Sequence, residues 1–366
     1  MDKWEEKQKK YLTFFENNAL IRKAILNTQG RITDINVRQQ IYLYTMCPVI
    51  AMFSKWVIEE AVKRDIKKLY FMARDSYTAY LTADYIIKKY HIDIQIKYIR
   101  LSRHSLRHSE YKNIITYLKK EGFFDEDKYG IVDSGWLGTV QQSLRDLLVK
   151  AGCKTEFDGF YFGLYEIPRQ MDRKRYNGFY FNPVGGIKQK VYFSNSLYEV
   201  MNAENIGMTE SYDEHGNPVL VDNEYDKNPE DDLLVLNVFN EQLFKNDGSY
   251  KGLKVDRREL FNILREFMAS PCMEEIKSFG NIRFSANYGD KTDLMAARMS
   301  EKELKNLWLF ARIKRNLMRS REPVRESAWQ QASIILNGKH VNSNMRHDKV
   351  YRYTKYVLNG IRNIRL

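Results

Sequence analysis

The chain has 366 residues, of which 43% are hydrophobic and 13% aromatic, a composition that can bury a sizeable core and excludes an intrinsically disordered protein. Its three cysteines are far apart and form no CxxC pair, which argues against a zinc or dithiol motif and favours a reducing compartment. The formal net charge is +12, and residues 301–366 carry +10 of it, so we expect a basic C-terminal surface. Such a surface can bind nucleic acid or an anionic membrane, or can be an ordinary solvated helix surface.

The first 65 residues are predicted to be a helical lead-in that packs on the core. The opening MDKWEEKQKK is charged where a secretory signal would be apolar, so we expect a cytoplasmic protein. The nearly uncharged run 39–54 contains Pro48 and is shorter than the roughly 20 residues that span a bilayer. A buried helix is therefore expected there.

Strands and helices then alternate three times. The strands are predicted at 66–73, 94–101 and 129–133, each followed by a helix, at 77–90, 111–121 and 140–151. Two further strands are predicted at 157–165 and 177–181. This alternation predicts an α/β fold with a mostly parallel, doubly wound sheet, whose ligands bind at the carboxyl ends of the strands.

The second half is predicted to be mainly helical. A polar excursion at 212–231 separates the α/β catalytic domain, 66–211, from a helical and basic C-terminal domain, 232–366.

Three polar clusters follow the predicted strands. They are Arg74-Asp75-Ser76, the segment from Arg100 through Ser102 to Arg103, and the loop Asp133 to Thr139. Taken singly, they are explained as a surface ion pair, a basic strand end and a helix N-cap. Their shared position at one edge of a parallel sheet favours a ligand site.

The third cluster, DSGWLGT, has the residues of an anion-binding turn. Two glycines flank the turn and Thr139 opens a helix, so backbone N–H groups can point at a phosphate. No GK[ST] string is present, which excludes Walker-type binding. Asp133 is a candidate ligand of ribose hydroxyls or of Mg²⁺. Bidentate phosphate contacts are expected from Arg74, Arg100 and Arg103.

These strings resemble the glycan phosphoribosyltransferase domain of bacterial dual-domain ribofuranosyltransferases. The resemblance is carried by LYFMARDSY (69–77), YIRLSRHSL (98–106), GIVDSGWLGTVQQSL (130–144) and SLYEVMNAENIGMTESY (196–212). It covers most of the chain, and the third string is the most specific. One departure is Ser76, where the family usually has Gly, which puts donor or acceptor choice in doubt.

The resemblance implies a donor, an acceptor and a partner enzyme. The donor is 5-phosphoribosyl-1-diphosphate with Mg²⁺, and the acceptor is a hydroxyl of a lipid-linked glycan destined for a surface polysaccharide such as O-antigen or capsule. In the family a haloacid dehalogenase-type phosphatase then removes the 5-phosphate. This sequence has no DxDx[TV] motif, so a separate phosphatase is expected.

Roles follow from the chemistry of displacing diphosphate from ribose. We expect Asp75 to be the general base, Asp133 the ribose or metal ligand, and Glu199 a third carboxylate. We expect catalysis, with Arg74 taking part, to come from positioning of the reactants and from neutralising the charge of the leaving diphosphate. Direct attack would invert the anomeric carbon and give a β-ribofuranoside. The donor-binding set is Ser76, Arg100, Ser102, Arg103, Ser134, Gly135, Trp136, Gly138 and Thr139.

Several smaller assignments stay open. Gln141 and Gln142 suit acceptor binding or a supporting role, and Trp136 suits a stacking platform or loop packing. His104 and His108 are four residues apart, but no third metal ligand is near them in sequence, so no zinc site is expected.

The basic C-terminus suggests attachment to the inner face of the membrane. The string KVYRYTKYVLNGIRNIRL (349–366) mixes aromatic and aliphatic residues with cations, as interfacial helices do. Two alternative functions are a haloacid dehalogenase-like phosphatase and a nucleic-acid-binding protein. The phosphatase needs an acid Asp two residues after its nucleophilic Asp, and neither Asp75 nor Asp133 is followed by one. A nucleic-acid-binding protein would not need three strand-end clusters.

Overall fold

The computed structural model describes residues 3–125, 128–153, 155–221, 230–284, 293–318 and 325–364. Much of the predicted polar excursion, residues 222–229, lies outside the described residues. So do residues 365 and 366 at the end of the predicted interfacial string.

A five-stranded parallel sheet forms the centre of the molecule. Its strands are β1 Lys68–Met72, β2 Gln95–Ile99, β3 Gly130–Trp136, β4 Asp158–Leu164 and β5 Tyr176–Phe181. Their order is β2-β1-β3-β4-β5, and each neighbouring pair is parallel. The predicted α/β class is confirmed, and all five strands lie within two or three residues of their predicted limits.

Helices precede the sheet and connect its strands. They are α1 Lys3–Phe14, α2 Ala19–Arg31, α3 Val37–Lys63, α4 Tyr77–Tyr90, α5 Arg103–His108, α6 Tyr111–Glu121 and α7 Thr139–Lys150, with a 3₁₀ turn at Arg173–Arg175.

The chain after β5 is mostly helical. It contains α8 Ile187–Tyr192, α9 Asn195–Asn202, β6 Thr209–Tyr212, β7 Pro218–Leu220, α10 Glu230–Leu243, α11 Ser249–Gly252, α12 Arg257–Ala269, α13 Met273–Phe279, β8 Arg283–Phe284, β9 Asp293–Leu294, α14 Glu301–Asn306, α15 Leu309–Leu317, α16 Gln330–Asn337 and α17 Val341–Ile364. The pairs β6–β7 and β8–β9 are antiparallel.

Side chains on the two faces of the sheet pack into two different hydrophobic cores. In β1, Leu69 and Phe71 face a large core with α3 and α4, whereas Tyr70 and Met72 face a smaller core with α6 and α7. Both faces of β1 are therefore covered, and every residue of the strand is buried. A parallel sheet with both faces covered needs continuous apolar strands, which explains why runs such as KLYFM were visible in the sequence.

The large core also includes the C-terminal helices. Side chains of α10, α12, α13 and α16 join those of α1 to α4 in one cluster, which includes Trp4, Val235, Phe267 and Trp329. The apolar run 39–54 lies inside α3, as predicted. By length and composition α3 is the one helix among the described residues that could cross a membrane, but 94% of its most apolar window is buried in this core.

A buried polar contact joins the two ends of this core. The Nζ atom of Lys7 lies 2.9 Å from Glu266 Oε1 and 3.3 Å from Glu275 Oε2, and the Tyr11 hydroxyl donates to Glu275 Oε1 at 2.5 Å. The side chain of Glu275 is fully buried, so its charge depends on these partners.

Lys7→Met should lower the free energy of unfolding by about 3 kcal/mol, because it leaves a buried carboxylate without its cation. Lys10→Met is the control, since Lys10 is half-exposed and pairs with the same Glu266; its loss should cost less than about 1 kcal/mol. Urea denaturation of both variants measures the difference. Equal losses would show that Glu275 does not depend on Lys7.

Candidate functional site

The strand order reverses between β1 and β3. The chain leaves β1 toward β2 on one side and returns to β3 on the other, so the two connections diverge from a crevice at the carboxyl ends of these strands. Open α/β sheets bind their ligands at such a switch point. Arg74, Asp75 and Ser76 directly follow β1, and Asp133 to Trp136 form the end of β3.

A direct hydrogen bond links the two strand ends. Ser134 Oγ donates to Asp75 Oδ2 at 3.1 Å. The neighbouring carboxylate of Asp133 is only 9% exposed and accepts the backbone N–H groups of Ser134 and Gly135. Segments 59 residues apart in sequence therefore meet in one polar cluster.

Three carboxyl groups interact electrostatically here. Burial, and then the charge of Asp75, raises the pKa of Asp133 to about 8, while Arg103 acts in the opposite direction. Burial and Asp75 likewise raise the pKa of Glu199 to about 8, against the charge of Arg74. Like charges placed together in a poorly solvated site hold protons until a cation compensates them. The crevice is therefore suited to a cationic or metal-bound ligand.

Glu199 lies on α9 and is held by Trp136. The indole Nε1 donates to Glu199 Oε1, and the ring packs among four aromatic side chains, those of Tyr165, Phe181, Phe193 and Tyr198. Trp136 is 8% exposed. Of its two predicted roles, the structure favours packing: the ring forms the wall behind Glu199.

The two terminal nitrogens of the Arg100 guanidinium differ, since one has a hydrogen-bond partner and the other has none in the described part of the chain. Its Nη2 lies 2.7 Å from Glu204 Oε1, and its backbone is held by the hydroxyls of Tyr117 and Tyr212, each at 2.7 Å. Its Nη1 is buried and has no hydrogen-bond partner among the described residues. A buried guanidinium N–H without an acceptor is costly, and Oε2 of the paired Glu204 also has no hydrogen-bond partner among the described residues.

Glu204 was not identified from the sequence. It falls within the string 196–212 but was given no role there, because nothing local shows that it meets Arg100 across 104 residues. Its backbone N–H donates to Arg74 O at 3.2 Å, which ties the first and second polar clusters together.

Three predicted ligand residues are engaged in structural bonds. Ser76 donates to Met72 O, and its φ of −96° is one that any residue adopts, so replacing glycine by serine here imposes no strain. Ser102 caps α5 and donates to Thr209 O at 2.7 Å. Gln141 is buried, donates to Phe157 O and accepts from the Tyr161 hydroxyl. These three side chains therefore have structural roles next to the site.

The remaining predicted residues lie around the loop and the adjacent helix starts. Arg103 is exposed at the first position of α5, and Thr139 and Gln142 are half-buried in the first turn of α7. The N-cap residue of α7 is Gly138, which makes no side-chain capping bond. The first N–H groups of a helix can bind an anion.

Two glycines give the loop its shape. Gly135 has φ +126°, and a Cβ there would lie 2.0 Å from Gly163 O. Gly138 has φ +63°, and a Cβ there would lie 2.6 Å from the ring of Tyr176. Both positions require glycine, since other residues avoid these φ values and no space exists for a side chain.

Among the described residues, no three His, Cys, Asp or Glu side chains converge tightly enough to hold a metal ion by themselves. His104 and His108 stack on each other with ring centroids 4.5 Å apart. Gln141 lines a cavity of about 170 Å³, and a second cavity has about 360 Å³; neither is lined by Arg74, Asp75 or Asp133.

Comparison with known proteins adds no identification: no family model and no curated protein matches the sequence. The function must be argued from the crevice and its residues.

The ligand-free protein should lose stability as the pH rises from about 5 to about 8. Ordinary carboxyl groups ionise near pH 4, so in this window the folded state, with Asp133 and Glu199 at about 8, binds more protons than the unfolded state. The free energy of unfolding therefore falls with pH. Asp133→Asn should flatten the slope in urea titrations, whereas the exposed Asp146→Asn should not. Identical slopes for wild type and Asp133→Asn would refute the assignment.

Gly135→Ala should destabilise the protein by about 3 kcal/mol or more, because it combines a disfavoured φ with a backbone clash. Gly152→Ala is the matched control, since Gly152 has φ +83° but nothing within 4 Å of the added Cβ. Thermal unfolding of both variants separates the clash from the φ preference. Similar losses would mean that the loop shifts to admit the methyl group.

Proposed function

We propose that this protein transfers 5-phosphoribose from phosphoribosyl diphosphate to a hydroxyl of a bacterial surface polysaccharide, with release of diphosphate. The observation that carries the proposal is the meeting of Asp75, Ser134 and Asp133 at the β1–β3 switch point, beside arginine side chains. The resemblance of those same segments to glycan phosphoribosyltransferases names the chemistry that the arrangement suits.

The donor carries two anionic ends, and the crevice offers groups for them. In the crevice, Arg74 acts electrostatically on Glu199 and Arg103 on Asp133. Arg100 has a buried N–H with no hydrogen-bond partner among the described residues. The N-terminus of α7, behind Gly135 and Gly138, adds backbone donors. Because ribosyl transfer passes through a cationic ring with a departing anion, stabilising the leaving diphosphate supplies most of the catalysis.

Asp75 is the proposed general base. Its charge raises the pKa of both Asp133 and Glu199, so the three carboxyl groups are electrostatically coupled. It already accepts a hydroxyl donor, Ser134, at 3.1 Å, the kind of group that the acceptor would present. Attack by that hydroxyl on an α-configured donor inverts C1 and gives a β-ribofuranoside.

The residues present fit Mg²⁺ as a partner of the donor. Mg²⁺ uses one or two protein carboxylates and completes its shell with waters and phosphate oxygens, so a three-residue cage is not needed. Asp133, with Asp75 beside it, would hold the ion, which would neutralise charge on the diphosphate. The raised pKa of Asp133 is consistent with a carboxyl awaiting such a cation.

The remaining parts of the proposal rest on the resemblance to the family. The sequence has no DxDx[TV] motif, so a separate phosphatase is proposed to remove the 5-phosphate. The proposed acceptor is a lipid-linked glycan, and the proposed location of the reaction is the cytoplasm at the inner face of the membrane.

Calorimetric titration with phosphoribosyl diphosphate and Mg²⁺ tests the proposal before any acceptor is known. Arg103→Ala should weaken donor binding about tenfold or more, as expected for one charge-assisted contact. Arg107→Ala, exposed one turn later on α5, should bind as wild type does. Asp133→Ala should weaken Mg²⁺-dependent binding.

Two results would overturn this function. One is the absence of heat from a folded wild-type protein at high donor concentration. The other is equal weakening by Arg103→Ala and Arg107→Ala, which would indicate only a general effect of positive charge.

A further inference from the structure

Helix α15 is packed with its polar side inward. Among the side chains of α15 whose exposure is described, the exposed ones recur at helical spacing and are apolar except for Lys314: Phe310 is 75% exposed, Leu317 79%, and Ile313 lies between them. On the opposite side, Arg312 donates to the hydroxyl of Tyr351 at 2.9 Å and lies 3.8 Å from its ring centroid. A helix in water normally shows the reverse arrangement.

Helix α17, on which α15 packs, has a second apolar stripe. Its inner side is buried at Asp348, Tyr356, Gly360 and Asn363. The stripe on its outer side consists of exposed aliphatic residues at helical spacing: Val350, Val357, Leu358, Ile361 and Ile364. We call this stripe, together with Phe310, Ile313, Leu317 and Met318, the outer apolar face. Exposed apolar residues in such number on two helices in contact favour a binding surface.

Most charges around the outer apolar face are positive; the exposed Glu326 is an exception and pairs with Arg312 on the inner side of α15. Exposed cations flank it, namely Lys314, Arg346, Lys355 and Arg362. Within α17 the only acidic residue is Asp348, which is buried and accepts from Gln331 Nε2 at 2.9 Å. A surface that complements this one must therefore be both apolar and negatively charged.

We propose that the outer apolar face inserts into an anionic lipid surface. The apolar stripes would enter the boundary between headgroups and acyl chains, and the flanking cations would contact lipid phosphates. A second copy of the chain fits less well, because pairing would bring two segments of like charge together. A nucleic acid offers the negative charge but nothing that covers Phe310 and Leu317. The inference goes beyond the proposed function and does not depend on it.

The expected interfacial string 349–366 is only part of this surface. That string makes up most of α17, whose inner side is used for packing, and α15 supplies the most exposed aromatic residue, Phe310.

Vesicle flotation tests the proposal with purified full-length protein. Wild type should float with vesicles of phosphatidylcholine and phosphatidylglycerol, should remain in solution with phosphatidylcholine alone, and should be released as salt is raised. The double variant Phe310→Ser, Leu317→Ser should partition at least about tenfold more weakly. Val62→Ser removes an exposed apolar residue of α3 and is the control that should float like wild type.

Unchanged circular dichroism spectra and melting temperatures establish that the variants are folded. The proposal is overturned if folded wild type does not float with anionic vesicles, or if the double variant floats as well as wild type. It is also overturned if light scattering shows wild type as a dimer that the double variant dissociates, since the face would then bind a second copy. Donor calorimetry is independent of lipid, so failure here leaves the transferase proposal standing.

Discussion

The reversal of strand order between β1 and β3 is the constraint on which the candidate site depends. Two neighbouring parallel strands end at the same edge of the sheet, and their connections turn away from each other. Asp75 and Asp133 approach each other because their strands are hydrogen-bonded in register, as in the pairing of Phe71 with Val132. The chemistry of the site thus follows from backbone topology.

The second consequence of that topology is an excess of negative charge in a poorly solvated place. Asp133 and Glu199 both respond to Asp75, and the cations nearby only partly offset it. Such an arrangement is unfavourable for stability, and proteins retain unfavourable polar clusters where they bind or react. Trp136 shows how firmly the cluster is built, since one side chain both closes the aromatic core and orients Glu199.

Local patterns predicted much of the fold but not the long-range contacts. The strands were visible because a sheet covered on both faces needs continuous apolar runs, and helices such as 77–90 were visible from their spacing. The bonds of Ser102 and Gln141 could not be foreseen, since each depends on a backbone carbonyl placed by tertiary structure. The Arg100–Glu204 pair and the inward side of α15 were missed for the same reason: sequence shows which side of a helix is apolar, not which way it faces.

The single large core has a consequence for the order of events during synthesis. Trp4, Phe71 and Trp329 belong to one cluster, so the sheet emerges from the ribosome well before the helices that cover one of its faces. Until α12 and α16 are made, the growing chain exposes apolar side chains of α1 to α4 and is a natural client for chaperones. A chain that ends early, within residues 212–231, would carry every residue of the proposed catalytic set and still lack the layer that keeps it folded.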